Sequence, residues 1–213
     1  MRELRDALPA DMDLSIAVPP RTWYKGYDYR TLGDICDRVI LMAHDFASTT
    51  MPDYQKNTDL PETPLAPIDD VYTALRDIVN PTDGVQDPDK VLLAISFGTI
   101  RWDVTGGSVQ NSRAGTSSTS AIYNRLSQSA TEMFYFDQYE SPCIRYVDDS
   151  DGTTNVVWYE DARSVEAKAS LAAMFGINSI SLWQAGIIPH YTSPAERDIY
   201  FDVWQTLQTR RAQ

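Results

Sequence analysis

Histidine, the side chain that most often acts as a general base in catalysis, is scarce in this sequence. It occurs twice, as His44 and His190. A Ser-His-Asp triad would need one of them, yet the Gly-x-Ser-x-Gly turn that presents a nucleophilic serine does not occur. The phosphate-binding loops Gly-x-Gly-x-x-Gly and Gly-x-x-x-x-Gly-Lys-Ser/Thr are also absent. The sequence therefore disfavours triad hydrolases and nucleotide-binding enzymes.

The two cysteines, Cys36 and Cys143, lie far apart in patterns typical of a core. Two cysteines in 213 residues do not make a disulfide scaffold, and no Cys-x-x-Cys pair is present. A zinc site built from histidine and cysteine is correspondingly disfavoured. We predict neither a metal site nor a bound cofactor.

Carboxylates follow two of the apolar runs. Asp45 ends the run at residues 38–46, and the pair Glu160-Asp161 stands between a predicted strand and a predicted helix. In barrels of alternating strands and helices, groups at the carboxyl ends of strands form the active site. A carboxylate there can hold a substrate, but it can equally cap the next loop, and the residues alone leave both roles open.

The charge of the chain narrows the choice of partners. The sequence has 18 Lys and Arg against 30 Asp and Glu, a net charge of −12. Such a charge repels phosphate backbones and anionic lipid surfaces, so we expect neither nucleic acid nor membrane as a partner. No apolar stretch is long enough to span a bilayer. The amino terminus is charged from its second residue, so we expect no secretory signal there, and the localisation stays open.

Apolar runs and helical spacings alternate along the chain. Continuous apolar runs predict buried strands, and apolar residues spaced by three and four predict helices. The predicted strands are 14–18, 38–46, 90–97 and 179–188, and the predicted helices are 31–37, 68–79, 164–175 and 193–208. Ser164 and Ser193 are predicted N-caps, and Gly176 a C-terminal glycine. Between them, a helix at 121–128 and alternating residues at 133–159, with a turn at 149–154, predict an antiparallel segment.

Four strand–helix units predict an α/β fold with a parallel sheet. A complete (β/α)8, or TIM, barrel needs eight such units and about 250 residues. The sequence therefore indicates half a barrel, with residues 98–161 as a small α+β insertion.

Three segments resemble glycoside hydrolase family 18, the chitinase-like family, and within it the spore-cortex-lytic, LysM-associated bacterial branch. Met42-Ala43-His44-Asp45 is similar to the family's Met-x-Tyr-Asp after the sixth barrel strand. Residues 90–97 are similar to its seventh strand. The third segment is Trp158-Tyr159-Glu160-Asp161 with Ser164, Lys168, Gly176 and residues 179–183, similar to its seventh helix and eighth strand. The resemblance covers residues 14–208 and implies that residues 1–213 are a partial catalytic domain containing strands five to eight.

Three departures accompany the resemblance. The family's Asp-x-x-Asp-x-Asp-x-Glu, whose Glu is the general acid, does not occur in this sequence. The chain is expected to start just after it, in the fourth barrel helix. His44 also replaces the usual Tyr, and Ala94 stands where Gly is usual.

The resemblance assigns roles at the site. Family 18 enzymes retain configuration because the acetamido oxygen of the substrate attacks the anomeric carbon while a Glu protonates the leaving oxygen. It implies that Asp45 holds the sugar, that His44 donates to the acetamido carbonyl, and that Trp183 forms the floor under the reacting sugar. A capping carboxylate, a buried histidine and a core tryptophan are the alternatives for these three.

Other residues are weaker candidates for sugar contacts. Met42 is expected to touch the site while packing in the barrel. Trp23, Tyr24 and Trp102 follow predicted strand ends and are candidates to line a sugar groove.

Two functions remain in competition. The chain is either part of a hydrolase of β-1,4-linked N-acetylglucosamine glycans (chitin or peptidoglycan) that is inactive alone, or a non-catalytic carbohydrate-binding or assembly module. The Glu that would act as general acid distinguishes the two functions, and this Glu is absent from the sequence. A half-barrel would expose strand edges and an inner face, expected at Ile16, Val39, Leu41, Leu92 and Ile180. We therefore expect a homodimer or a complementary amino-terminal half as partner.

Overall fold

The computed structural model describes residues 1–211. Its helices are α1 (Arg2–Ala7), α2 (Tyr29–Ile35), α3 (Ile68–Ile78), α4 (Thr119–Leu126), α5 (Ala162–Met174) and α6 (Val203–Arg211). Its strands are β1 (Ser15–Val18), β2 (Arg38–Leu41), β3 (Val91–Ser96), β4 (Ile100–Thr105), β5 (Ser108–Val109), β6 (Glu132–Phe136), β7 (Ser141–Val147), β8 (Thr154–Trp158) and β9 (Ser179–Trp183). Among these residues, no helix combines the length and apolarity that crossing a membrane requires.

The chain forms two compact units. The first contains Met1–His44, Asp69–Ile95 and Ala167–Leu182. The second contains Asp45–Ile68, Ser96–Glu166 and the residues from Trp183 onward.

A sheet with strand order β1–β2–β3–β9 forms the centre of the first unit. β1 pairs with β2, and β2 with β3, in parallel, so the predicted α/β class is confirmed. β2 is shorter than the predicted strand at 38–46. It ends at Leu41 because the chain turns there: Ala43 N–H donates to the Leu41 carbonyl at 3.0 Å.

The two faces of this sheet differ in burial. Val18, Leu41 and Leu93 lie in register on one face and are buried. Ile40 and Leu92 lie in register on the other face and are half-buried.

The prediction of a single inner face is therefore wrong, because its residues do not all lie on the same face of the sheet. These residues are Ile16, Val39, Leu41, Leu92 and Ile180. Side chains alternate between faces along a strand, so residues an odd number of positions apart point in opposite directions. Val39 and Leu41 are completely buried on the face opposite Leu92, and Ile16, which pairs with Val39, shares their face.

The helices of the first unit follow the spacing in the sequence. In α3, Val71, Ala74, Leu75 and Ile78 form one buried stripe, as the predicted helix at 68–79 requires. α2 begins earlier than the predicted 31–37, because the Asp28 carboxylate accepts the Thr31 N–H and caps the helix. At the carboxyl end of α2, the Lys90 ammonium donates hydrogen bonds to the Gly33 and Cys36 carbonyls.

An antiparallel sheet with strand order β5–β4–β8–β7–β6 dominates the second unit. Each of its faces carries a hydrophobic core. One contains Met51, Ile100, Trp102, Val104, Val109, Cys143, Val156 and Trp158; the other contains Ile122, Leu126, Ile144, Val157, Tyr159, Ile199 and Phe201. Burial raises the pKa of the Cys143 thiol, and burial also raises that of Cys36 in the first unit.

The final helix begins ten residues later than predicted. Ser193 does not cap a helix: its hydroxyl donates to Asp198 and accepts the Ile199 N–H. Ile199, Phe201 and Val203 are all buried. This alternation of buried positions does not fit helical spacing, and Tyr200 has a φ of +50°, so α6 begins only at Val203.

The cap of α5 also differs from the prediction. Ser164 lies inside the first turn, and the Asp161 carboxylate accepts the Arg163 and Ser164 N–H groups at 2.9 and 3.0 Å. At the other end, Gly176 has a φ of +79°, as expected for a glycine that ends a helix.

Tyr29 provides a test of the packing in the first unit. It is completely buried, its hydroxyl donates to the Pro19 carbonyl at 2.6 Å, and burial raises its pKa from 10.0 to about 12. The unfolded chain therefore releases this proton first as the pH rises. The stabilisation is complete below the unfolded pKa and is lost as the pH rises through the folded one.

We expect the unfolding free energy of the wild type to fall, relative to Tyr29→Phe, by about 1.4 kcal/mol per pH unit between about pH 10 and 12. Urea unfolding of both proteins across this range measures it. Parallel pH dependences would contradict the burial of an ionisable Tyr29.

Candidate functional site

Asp45 follows β2 in an uncommon backbone conformation. Its φ is +60°, in the left-handed region that Asp tolerates better than most residues. Its carboxylate lies beside Gly98: a methyl group added at Gly98 would lie 3.5 Å from Asp45 Oδ1. The predicted carboxylate is therefore next to the turn that follows β3.

Residues 96–98 form that turn. Ser96, the last residue of β3, is buried, and its Oγ accepts the Gly98 N–H at 3.1 Å. A methyl group at position 98 would also lie only 3.3 Å from this oxygen. Gly98 thus leaves room for both the Ser96 hydroxyl and the Asp45 carboxylate.

Trp183 reaches the same turn from β9. Its carbonyl accepts the Phe97 N–H at 2.8 Å, which ties the ends of β3 and β9 together. Its side chain is 60% exposed, so its indole is not a core residue of the described structure. The Asp45 carboxylate and the main chain of Trp183 therefore both lie close to residues 96–98.

Beyond the turn, the hydroxyl groups of two threonines form hydrogen bonds with main-chain groups. Thr99 Oγ1 donates to the Ser117 carbonyl at 3.1 Å and accepts the Ser117 N–H at 2.8 Å. Thr119 Oγ1 donates to the Ile187 carbonyl at 3.0 Å. Ser96, Gly98 and Thr99 were not predicted as site residues, although Ser96 lies at the end of the predicted strand 90–97 and Gly98 and Thr99 directly follow it.

The expectation that Trp102 lines a groove is wrong. Trp102 lies within β4 and not after it, and none of its surface is exposed. Its indole Nε1–H donates to Thr63 Oγ1 at 2.8 Å. It is a core residue of the antiparallel sheet because its position on β4 points inward with Ile100 and Val104.

The remaining candidates lie in the first unit. Met42 N–H donates to the Val18 carbonyl at 2.9 Å, and His44 is largely buried. Trp23 and Tyr24 both donate their N–H groups to the Pro20 carbonyl in a turn after β1, and their side chains are exposed. The roles of these four residues in binding stay predictions.

The acidic pair before α5, Glu160 and Asp161, is buried and hydrogen-bonded to neighbouring residues of the chain. Glu160 is buried, and its Oε2 accepts the Ser164 hydroxyl at 2.6 Å. Burial raises the pKa of Asp161, and the Arg163 guanidinium opposes that rise. In residues 1–211, no three His, Cys, Asp or Glu side chains are grouped so that they could hold a metal ion.

A carboxylate such as that of Asp45 can accept hydrogen bonds from hydroxyl groups of a ligand, and an exposed indole such as that of Trp183 offers an apolar surface. The family model "Glycosyl hydrolases family 18" matches residues 1–186, and the chain belongs to that family.

Its relatives place it in the spore-cortex-lytic branch. The cortical fragment-lytic enzyme of Bacillus subtilis is 25% identical over 195 residues, which are 88% of this chain and 42% of that protein. This chain spans about two fifths of the length of the curated relatives it matches.

Solved structures share the fold. The spore cortex-lytic enzyme SleL of Bacillus cereus matches with a TM-score of 0.72 and 23% identity, over 98% of this chain and 44% of that one. A chitinase from Chromobacterium violaceum matches with a TM-score of 0.71 and 24% identity, over 99% and 59%.

Gly98 is the position at which the geometry of the site can be tested. We expect Gly98→Val to lower the unfolding free energy by about 1–3 kcal/mol, because its branched side chain must displace Ser96 or Asp45. Gly98→Ala should cost less, since its methyl group makes only close contacts.

Gly186→Val is the matched control, because nothing lies within 4 Å of a methyl group at that position. It should change stability by no more than about 0.5 kcal/mol. Equal effects at positions 98 and 186 in urea unfolding would contradict the crowding described for Gly98.

Proposed function

We propose that this chain supplies strands five to eight of a family 18 (β/α)8 barrel and binds the N-acetylglucosamine units of a glycan such as chitin or peptidoglycan. The observation that carries the proposal is the approach of Asp45 and Trp183 to the turn at residues 96–98. Family membership supports the substrate class, because family 18 enzymes act on such glycans.

The two side chains suit complementary parts of a sugar. The exposed indole of Trp183 offers a flat apolar surface for the CH face of a pyranose ring. The Asp45 carboxylate accepts hydrogen bonds from an acetamido N–H or a hydroxyl group. His44 is proposed to donate to the acetamido carbonyl, and Met42, Trp23 and Tyr24 stay candidates for further sugar contacts.

The proposed reaction is substrate-assisted hydrolysis with retention. The acetamido oxygen bonds to the anomeric carbon, the glycosidic C–O bond breaks, and a general acid protonates the leaving oxygen. Water then opens the oxazolinium ion and restores the acetamido group. The chain's own residues hold the acetamido group and shield the charge that develops on it.

The general acid that this reaction needs is absent from the sequence of this chain. The 213 residues contain no Asp-x-x-Asp-x-Asp-x-Glu string, and Glu160 is buried against Ser164. We infer that these residues alone bind the glycan but do not hydrolyse it efficiently. The same feature favours the alternative function, a carbohydrate-binding or assembly module without catalysis.

The strand order supports the half-barrel. β1, β2, β3 and β9 follow one another in the sheet as they do in the chain, and the face carrying Ile40 and Leu92 is only half-buried. In the proposal this face lines the barrel interior and meets a complementary half. Residues 98–161, which contain the antiparallel strands, are the proposed insertion.

We expect the 213-residue chain to show no efficient turnover of chitin oligosaccharides or peptidoglycan fragments. A general acid contributes about 10²–10⁴-fold to rate, and no family acid is present. Release of a chromogenic leaving group measures the activity. Turnover comparable to that of a complete chitinase, abolished by Asp45→Ala, would contradict the inferred inactivity.

We expect Trp183→Ala to weaken the binding of N-acetylglucosamine oligosaccharides about tenfold, because it removes the apolar platform. Isothermal titration calorimetry measures the dissociation constant. Trp204→Ala is the matched control, since Trp204 is also partly exposed in the second unit but lies on α6. Equal losses in the two variants would count against the site.

A further inference from the structure

β6 is an outer strand of the antiparallel sheet and carries an unusually apolar sequence for such a position. It pairs on one side with β7 and is last in the strand order. Its residues are Glu-Met-Phe-Tyr-Phe. Natural outer strands are commonly protected by lysine, proline or a bulge. β6 contains no lysine or proline, and Met133 is 38% exposed.

The direction of its free hydrogen-bonding groups follows from β7. Tyr159 N–H donates to the Pro142 carbonyl, so the backbone groups of Pro142 point toward β8. Pro142 lies opposite Tyr135, and pairs alternate along an antiparallel ladder. The main-chain N–H and C=O groups of Phe134 are therefore hydrogen-bonded to β7. The N–H and C=O groups of Met133 and Tyr135 point to the opposite side, away from the sheet.

These outward groups have no partner within the part of the chain that the structure describes: no backbone or side-chain hydrogen bond reaches the main chain of Met133 or Tyr135 from outside the sheet. The strand is also held in place. The Tyr135 hydroxyl donates to Glu140 at 2.6 Å, and the Arg163 guanidinium lies over its ring at 4.2 Å.

We propose that two copies of this chain associate by pairing β6 with β6 in antiparallel orientation, about a two-fold axis at Phe134. In this register Met133 of each copy lies opposite Tyr135 of the other. All four outward-pointing pairs of N–H and C=O groups then bond across the interface, giving four hydrogen bonds. A register shifted by one residue would oppose outward groups with groups already bonded to β7.

The side chains suit the same axis. Phe134 meets its own copy at a closely spaced pair, and aromatic pairs across strands are stabilising. Met133 of one copy meets the Tyr135 ring of the other, a favourable sulfur–aromatic contact. The strand is thus complementary to itself, which is the requirement of a two-fold interface and favours a second copy over an unrelated peptide.

The net charge of −12 per chain opposes association. Added salt screens this repulsion but does not weaken backbone hydrogen bonds between apolar strands. The β6 dimer should therefore become tighter as ionic strength rises.

Hydrogen exchange and sedimentation test the proposal on the full chain. As the concentration rises into the dimer range, the amides of Met133 and Tyr135 should become protected, while the Phe134 amide is protected at every concentration. Met133→Pro removes one outward donor per copy without touching the ladder to β7. It should weaken dimerisation about ten- to a hundredfold. Met133→Lys should also weaken it.

Met174→Lys is the control, because Met174 is 83% exposed on α5, outside any strand. It should leave the dimerisation constant unchanged. A monomer at all concentrations in high salt would overturn the proposal. So would a dimer in which the Met133 and Tyr135 amides stay exchangeable or which Met133→Pro leaves intact, because the interface would then lie elsewhere.

Discussion

The hydrogen bond from Phe97 N–H to the Trp183 carbonyl holds together the ends of two strands that are more than eighty residues apart in the chain. Ser96 and Gly98, on either side of Phe97, fix the turn next to the Asp45 carboxylate. The turn is thus held by two main-chain N–H groups: that of Phe97 donates to the Trp183 carbonyl, and that of Gly98 donates to the Ser96 hydroxyl.

The second unit stabilises its sheet on both faces. The core on the Trp102 face receives Met51, and the core on the Ile144 face receives α4 and the segment carrying Ile199 and Phe201. Segments that are distant in sequence therefore share a single sheet. This arrangement explains why residues 193–202, whose composition suggested a helix, are not helical.

The sequence predicted the elements better than their ends. Continuous apolar runs located β2 and β3, and helical spacing located α3, because burial imposes those patterns directly. It failed where a local signal competed with tertiary packing. Ser193 is a residue type that commonly caps helices, yet the chain that buries Ile199 and Phe201 is not helical, and Tyr200 between them has a φ of +50°.

The prediction of the site had similar limits. Asp45 was selected because it ends an apolar run and matches a family motif, and Trp183 was selected from the family resemblance alone; their roles stay predictions. Trp102 was misassigned because only three residues separate β3 from β4, a turn too short to detect from composition. Gly98 was missed because a single glycine shows nothing of its neighbours until the strands are paired.

The two cysteines are in surroundings that make them poor nucleophiles. Both are almost completely inaccessible, and burial raises the pKa of both thiols, so little thiolate forms near neutral pH. A cysteine introduced on the surface would therefore react with a maleimide probe far ahead of the native pair. Fluorophores or spin labels can be attached at single chosen positions while Cys36 and Cys143 stay in place.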